Sequence, residues 1–311
     1  MSLGMFLFGC AHYAMNTHYI GPKPLPEQIK EEFSYPRSHI LYEEKIIEKT
    51  DYYTVKQITF ASKKTIMPKN HDIFINYYDL PGKKKTPVIM VLPILGGSYR
   101  IAKNFASYFS KNGYASLIVH RHEDRKILQN VEEIDRALKQ MVFDLKQVID
   151  WIETQEDLDS EKIGVFGASM GGIKTSLISA LDDRVDASVI ALAAGDIPYL
   201  LTHSKEKGII RKKKEFMKES NITHEEFYEK LGKRINCDPI RYAEYVNANN
   251  VLMILAVFDK IVPYSKGKEL RDRIGRPETI FLLAGHYSAY PYMFYIKRES
   301  LEFFREKFTK R

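Results

Sequence analysis

Residues 162–172 read KIGVFGASMGG, and this stretch constrains the chain more than any other. Its first residues form a short apolar strand, the next are small, and a helix is expected from near Ile173. The spacing Gly167-x-Ser169-x-Gly171 lets a strand and a helix approach closely around one central residue, because neither glycine carries a Cβ. A serine hydroxyl is a poor nucleophile unless it is held out on a sharp turn beside a base. A helix opening just after Ser169 also aims backbone N–H groups at any oxyanion that forms there.

The rest of the chain alternates in a compatible way. Residues 52–60 alternate in polarity and suit a strand near a sheet edge, with residues 72–78 as its antiparallel partner. Residues 87–93 (PVIMVLP), 114–120 (YASLIVH), 186–194 (DASVIALAA) and 250–257 are apolar runs of the kind buried on both faces of a sheet. Helical periodicity fills the gaps. It is longest from Asn130, where Glu133 stands at the capping-box position and Leu138, Met141, Leu145 and Val148 share one face. The last strand is expected at residues 279–284 and a C-terminal helix at 290–308. Strand and helix in alternation imply an α/β fold: a mostly parallel central sheet with helices on both faces. Residues 1–50 read as an N-terminal arm and residues 51–311 as the main domain. Residues 197–245, charged and helical with a second capping box at Thr223 and Glu226, read as a small helical cap insertion. Such an insertion belongs above the carboxyl ends of the strands, where open α/β sheets bind ligands.

Charge and cysteine content exclude several functions. A net charge of +7 over 311 residues is modest, and no stripe of Arg and aromatic residues accompanies it, so nucleic acid is not expected as a partner. The one dense basic run, residues 205–218, is interleaved with Glu206, Gly208 and Glu215 and reads as a solvated helix face. Cys10 and Cys237 are too few for a disulfide scaffold, and no Cys/His pair has zinc spacing. His120, His122 and Glu123 are closely spaced, but no further ligands are visible, so no metal is expected. No apolar run is long enough for a transmembrane helix. Leu7-Phe8-Gly9-Cys10 is similar to a bacterial lipobox, although no Lys or Arg precedes it. The expectation is a cytoplasmic protein, with membrane association following only from lipidation of Cys10 in a bacterial envelope. Oligomeric state has no signal in the sequence.

Three segments together resemble the α/β-hydrolases, over roughly residues 50–311, in that family's order of serine, acid, histidine. The first is Gly167-Ala168-Ser169-Met170-Gly171. The second is Val257-Phe258-Asp259-Lys260-Ile261-Val262-Pro263, similar to the acid loop in which Asp is followed shortly by Val-Pro. The third is Leu283-Ala284-Gly285-His286, similar to the Gly-His pair that delivers the base. Asp238-Pro239-Ile240 with Arg241-Tyr242-Ala243 also looks like the lead-in to the acid strand in esterase and dienelactone-hydrolase-like members.

The resemblance implies Ser169 as nucleophile, His286 as general base and Asp259 as the acid that orients it. Asp196, just after the preceding strand, is the alternative acid. The oxyanion donors implied are the N–H groups of Met170 and Leu95, with Ile94 or Gly96 as alternatives to Leu95. Here the chain departs from the family, having Pro93-Ile94 where members often have His-Gly. His120 and Arg121, at the end of a strand beside the serine strand, are candidate pocket residues for an anionic group; a solvated loop is the alternative. The aromatic run Tyr287, Tyr290, Tyr292, Phe294 and Tyr295 reads as helix packing. The implied function is hydrolysis of small-molecule carboxylic esters through an acyl-enzyme, with no cofactor. A peptidase or other acyl-transfer enzyme, and a catalytically silent binding protein, are the alternatives.

Overall fold

The computed structural model describes residues 10–67, 71–96, 99–120 and 133–309. Its first half runs β1 (Cys10–Tyr13), α1 (Glu27–Glu32), β2 (Glu43–Lys49), β3 (Thr54–Ala61), β4 (Asp72–Asp79), β5 (Thr86–Leu92), α2 (Arg100–Lys111), β6 (Ala115–Val119), α3 (Ile134–Glu153) and β7 (Leu158–Ala168). Then follow α4 (Met170–Leu181), β8 (Ala187–Ala191), α5 (Ile197–His203), α6 (Lys207–Ser220), α7 (His224–Arg234), α8 (Pro239–Tyr242), β9 (Val251–Ala256), α9 (Tyr264–Ile274), β10 (Glu278–Leu282) and α10 (Met293–Thr309).

The apolar runs become the middle of one sheet, ordered β1-β10-β9-β8-β7-β5-β6-β4-β3-β2. From β10 through β6 the neighbours are parallel. Every residue of β6, β8 and β9 is buried, as strands covered on both faces require. On one side Phe105 and Phe109 of α2 pack with Phe303, Phe304 and Phe308 of α10. On the other, α3, α4 and α9 bury Leu138, Leu177 and Leu270. β2, β3 and β4 form the antiparallel entry, and β4 joins β6 antiparallel.

Residues before 50 supply both edges of this sheet. β1 pairs antiparallel with β10, and β2 with β3. Neither strand was legible, because all their residues are exposed and carry no alternation of apolar and polar side chains. Phe33, just after α1, is buried against Phe143 of α3, which ties the connecting segment to the core.

Helix boundaries also differ in two places. α4 begins at Met170 rather than near Ile173, since close packing holds Gly171 and Gly172 in helical geometry despite their poor intrinsic propensity. α3 is described from Ile134, with Glu133 at its N-cap making no side-chain capping bond; Asn130 lies outside the described residues. The capping box of Thr223 and Glu226 forms at the start of α7.

Topology fixes where a site can form. The chain passes from β5 outward to β6, then returns to lay β7 on the other side of β5. The carboxyl ends of β5 and β7 therefore flank the switch point of the sheet, the crevice in which such folds hold ligands. Ser169 follows β7 and Ile94-Leu95 follow β5.

Candidate active site

Ser169 stands between β7 and α4 with φ 54° and ψ −122°. A non-glycine residue holds such a backbone at a cost of about 1–3 kcal/mol, so its surroundings must enforce it. Its N–H donates to the Ala191 carbonyl at 2.9 Å and its carbonyl accepts from Ile173 N–H at 3.1 Å. The flanking glycines permit the close approach. A Cβ at Gly167 would collide with the backbone of Gly171, and one at Gly171 with the carbonyl of Leu92 at the end of β5. Gly171→Ala is therefore expected to destabilise the fold by about 1–3 kcal/mol, because backbone must shift to admit the methyl. A thermal melt checks this; melting with the parent would mean that α4 and β5 do not approach so closely.

The loops after β9 and β10 are tied to each other. Val257 N–H donates to Leu282 O at 3.0 Å and Phe258 N–H to Ala284 O at 2.9 Å. That coupling sets Asp259 beside His286. Asp259 is only 7% exposed, and its Oδ1 accepts from the N–H groups of Ile261 and Val262, both at 2.9 Å. Its Oδ2 lies 2.6 Å from His286 Nδ1, and His286 Nε2 lies 3.1 Å from Ser169 Oγ. An ionised carboxylate only accepts, so Nδ1 must carry the proton and Nε2 is left to accept from the serine hydroxyl.

Asp196 is held elsewhere. Its carboxylate accepts from Tyr199 N–H at the start of α5 and pairs with Lys266 Nζ at 2.7 Å. Burial alone would lower the pKa of Lys266, but Asp196 and Glu269 raise it above its ordinary value. The turn around Asp196 rests on a residue whose role was not evident from sequence. Buried Asp238 accepts from the N–H groups of Asp196, Ile197 and Ile240. Burial raises the pKa of its carboxyl, against the pull of those three donors. Its pairing with a turn 42 residues away has no local signal beyond the Asp-Pro of a helix cap.

A cavity of about 430 Å³ has Ser169 and His286 in its wall, together with Met170, Ile94, Leu95 and Gly96. Met170 is the first residue of α4, so its N–H has no acceptor within the helix. The rest of the lining is almost wholly apolar, drawn from Phe105 of α2, Ile173 of α4, Leu200 of α5, Ile209 of α6 and Met293 of α10. α5 and α6 of the inserted segment thus close one side of it. Tyr287 and Tyr290 also line the cavity, so the aromatic run read as helix packing divides: Tyr292 is buried, these two are not.

His120 is not among the lining residues. Its Nε2 is 2.9 Å from Asn76 Oδ1 and its ring stacks on Tyr99 at 4.7 Å, which engages it outside the cavity. Arg121, His122 and Glu123 lie outside the described residues. Among the described residues no cluster of His, Cys, Asp and Glu is disposed to hold a metal ion. Among the same residues no helix is long and apolar enough to cross a membrane.

Solved structures with this architecture include an acetyl xylan esterase from Paenibacillus sp. R4, with TM-score 0.68 and 14% identity over 89% of this chain and 91% of its own. Acetyl xylan esterase 1 from Thermoanaerobacterium sp. JW/SL YS485 gives TM-score 0.64 and 16% identity, covering 94% of this chain and 99% of its own. At such identities the likeness is one of fold. An uncharacterised 31.7 kDa protein of Escherichia coli from the traX-finO intergenic region is 33% identical over 99 residues, 32% of this chain and 34% of its own length. The chain thus matches about a third of the length of its curated relatives. The sequence profile of the prolyl oligopeptidase family matches residues 102–310, from α2 to the C-terminal helix. With the fold of an α/β-hydrolase and two thirds of its length in that match, the chain belongs to the prolyl oligopeptidase family.

Proposed function

We propose that the protein hydrolyses carboxylic esters with an apolar acyl group, through an acyl-enzyme on Ser169. The observation that carries this reading is His286, bonded at once to Asp259 and to Ser169. His286 Nε2 takes the Ser169 proton as Oγ attacks the ester carbonyl, and Asp259 stabilises the imidazolium. The N–H groups of Met170 and Leu95 hold the negative charge of the tetrahedral intermediate. His286 then returns the proton to the departing alcohol, which leaves Ser169 acylated. Water, deprotonated by the same imidazole, attacks the acyl carbon, releases the acid and restores the serine. Every proton transfer is supplied by these side chains, so the scheme invokes no cofactor.

The names of the two structural neighbours support ester over amide as the bond broken. The family name favours a second reading, a peptidase. Both bonds pass through the same chemistry, so the leaving group decides between them. A cavity this apolar accepts an acyl chain better than an acetyl group. Each buried methylene contributes about 0.8 kcal/mol, so kcat/KM should rise roughly fourfold per methylene until the cavity is filled. The test is a series of p-nitrophenyl esters of graded chain length beside peptide p-nitroanilides. Faster cleavage of proline anilides would establish the peptidase, and a maximum at acetate would remove the apolar acyl site.

A further inference from the structure

Two unusual surfaces belong to elements that line the same cavity. The first is a face of α6. Lys207, Arg211, Lys214 and Lys218 follow one another at steps of four, three and four residues, so they form a single stripe along the helix. All four are exposed. Among the described residues only Arg211 of this stripe meets a carboxylate, Glu215 at 3.8 Å. On the inner side of α6 Phe216 packs on Phe227 at 5.7 Å, Gly208 and Ile209 line the cavity, and Lys213 Nζ donates to the Thr202 carbonyl.

The second surface is apolar. Phe258, Leu283, Tyr287, Tyr290 and Phe294 are each more than half exposed. They come from the loops that carry Asp259 and His286 and from the first turn of α10, and Tyr287 and Tyr290 reach the cavity wall. Large apolar side chains exposed on two loops that are bonded to each other, and on the helix that follows them, mark an interaction surface. Aromatic rings, especially of Tyr, are favoured where one end of the side chain is apolar and the other wet, as at a lipid–water boundary. A helix face with four exposed cations, three of them meeting no carboxylate among the described residues, suits anionic headgroups.

We propose that this face docks on an anionic lipid surface. The α6 stripe lies against the headgroups, the exposed aromatic residues enter the boundary with the acyl chains, and the apolar cavity opens toward the bilayer. The charge complementarity selects a lipid surface bearing acidic headgroups, consistent with a net charge of +7. Docking needs no modification of Cys10, which on β1 pairs with Leu282 of β10 and so sits beside Leu283 at the margin of the patch. That the surface delivers an acyl ester to Ser169 rests on the function proposed above; docking itself does not.

The test is co-sedimentation of the full chain carrying Ser169→Ala with two kinds of vesicle, phosphatidylcholine alone and phosphatidylcholine mixed with phosphatidylglycerol. Binding is expected to the mixed vesicles and to weaken with added salt. Replacing Lys207, Arg211, Lys214 and Lys218 together by serine should lower the partition coefficient on the order of fivefold per charge at low salt. Phe294→Ser should lower it at low and high salt alike, and thermal melts of both variants control for folding. No sedimentation with the mixed vesicles, equal binding to both kinds, or unchanged binding by the four-residue variant would each overturn the proposal. Because the tested protein lacks the serine hydroxyl, failure here leaves the acyl-transfer reading untouched, and failure of that reading leaves this result standing.

Discussion

Ser169→Ala is expected to lower turnover of an activated ester by roughly 10⁶-fold, the scale met when a nucleophile that works as one unit with its base is removed. The substitution deletes one hydroxyl from a cavity wall and leaves the bonds that set the turn, Ser169 N–H to Ala191 and its carbonyl to Ile173, in the backbone. Circular dichroism and melting temperature should stay with the parent while kcat collapses. His286→Ala should cost about as much, and the double variant little more than either, because the base has no task without the nucleophile. Steady-state kinetics on a p-nitrophenyl ester measures all three. Turnover retained by Ser169→Ala would transfer the chemistry to another group.

Asp259→Asn is expected to reduce kcat by as much as roughly 10⁴-fold. The geometry gives the reason. Oδ1 of residue 259 accepts two backbone N–H groups, so an asparagine keeps its carbonyl oxygen there and turns its amide N–H₂ toward His286. A donor facing Nδ1 requires that nitrogen to be unprotonated, which puts the proton on Nε2 and removes the acceptor for Ser169. The charge that would stabilise the imidazolium is lost as well. Asp196→Asn makes the contrast. It keeps an oxygen for Tyr199 N–H and loses only the pair with Lys266, a partly exposed contact worth about 1 kcal/mol or less. Its effect should fall on KM through the position of α5, with kcat nearly intact. Collapse of kcat in Asp196→Asn, with Asp259→Asn active, would reverse the assignment of the two carboxylates.

What the sequence made legible follows from how local each signal is. The buried strands are continuous apolar runs, and the serine turn is written in five consecutive residues whose glycines answer to atoms of α4 and β5. Asp259 and His286 each follow a strand, so their segments could be located before their contact was known. The two edge strands stayed hidden because exposed strands carry no period, and their pairing joins residues far apart in the chain. Tyr287 and Tyr290 could not be separated from Tyr292 by sequence, since only the turn before α10 decides which ring is buried. His120 invited a pocket role by position alone, yet Asn76 and Tyr99, from other elements, engage its ring. Asp238 shows the same limit: its partners are backbone N–H groups, which no residue type reveals.

Acylation of Ser169 is the step on which the proposed ester hydrolysis turns. It is tested most directly by treating the folded protein with a serine-directed fluorophosphonate and locating the adduct by peptide mass spectrometry. The expected result is one adduct per chain, on the peptide containing Ser169, absent from Ser169→Ala and strongly slowed in His286→Ala. An adduct on a different residue, or none on protein that still cleaves the ester, would contradict it.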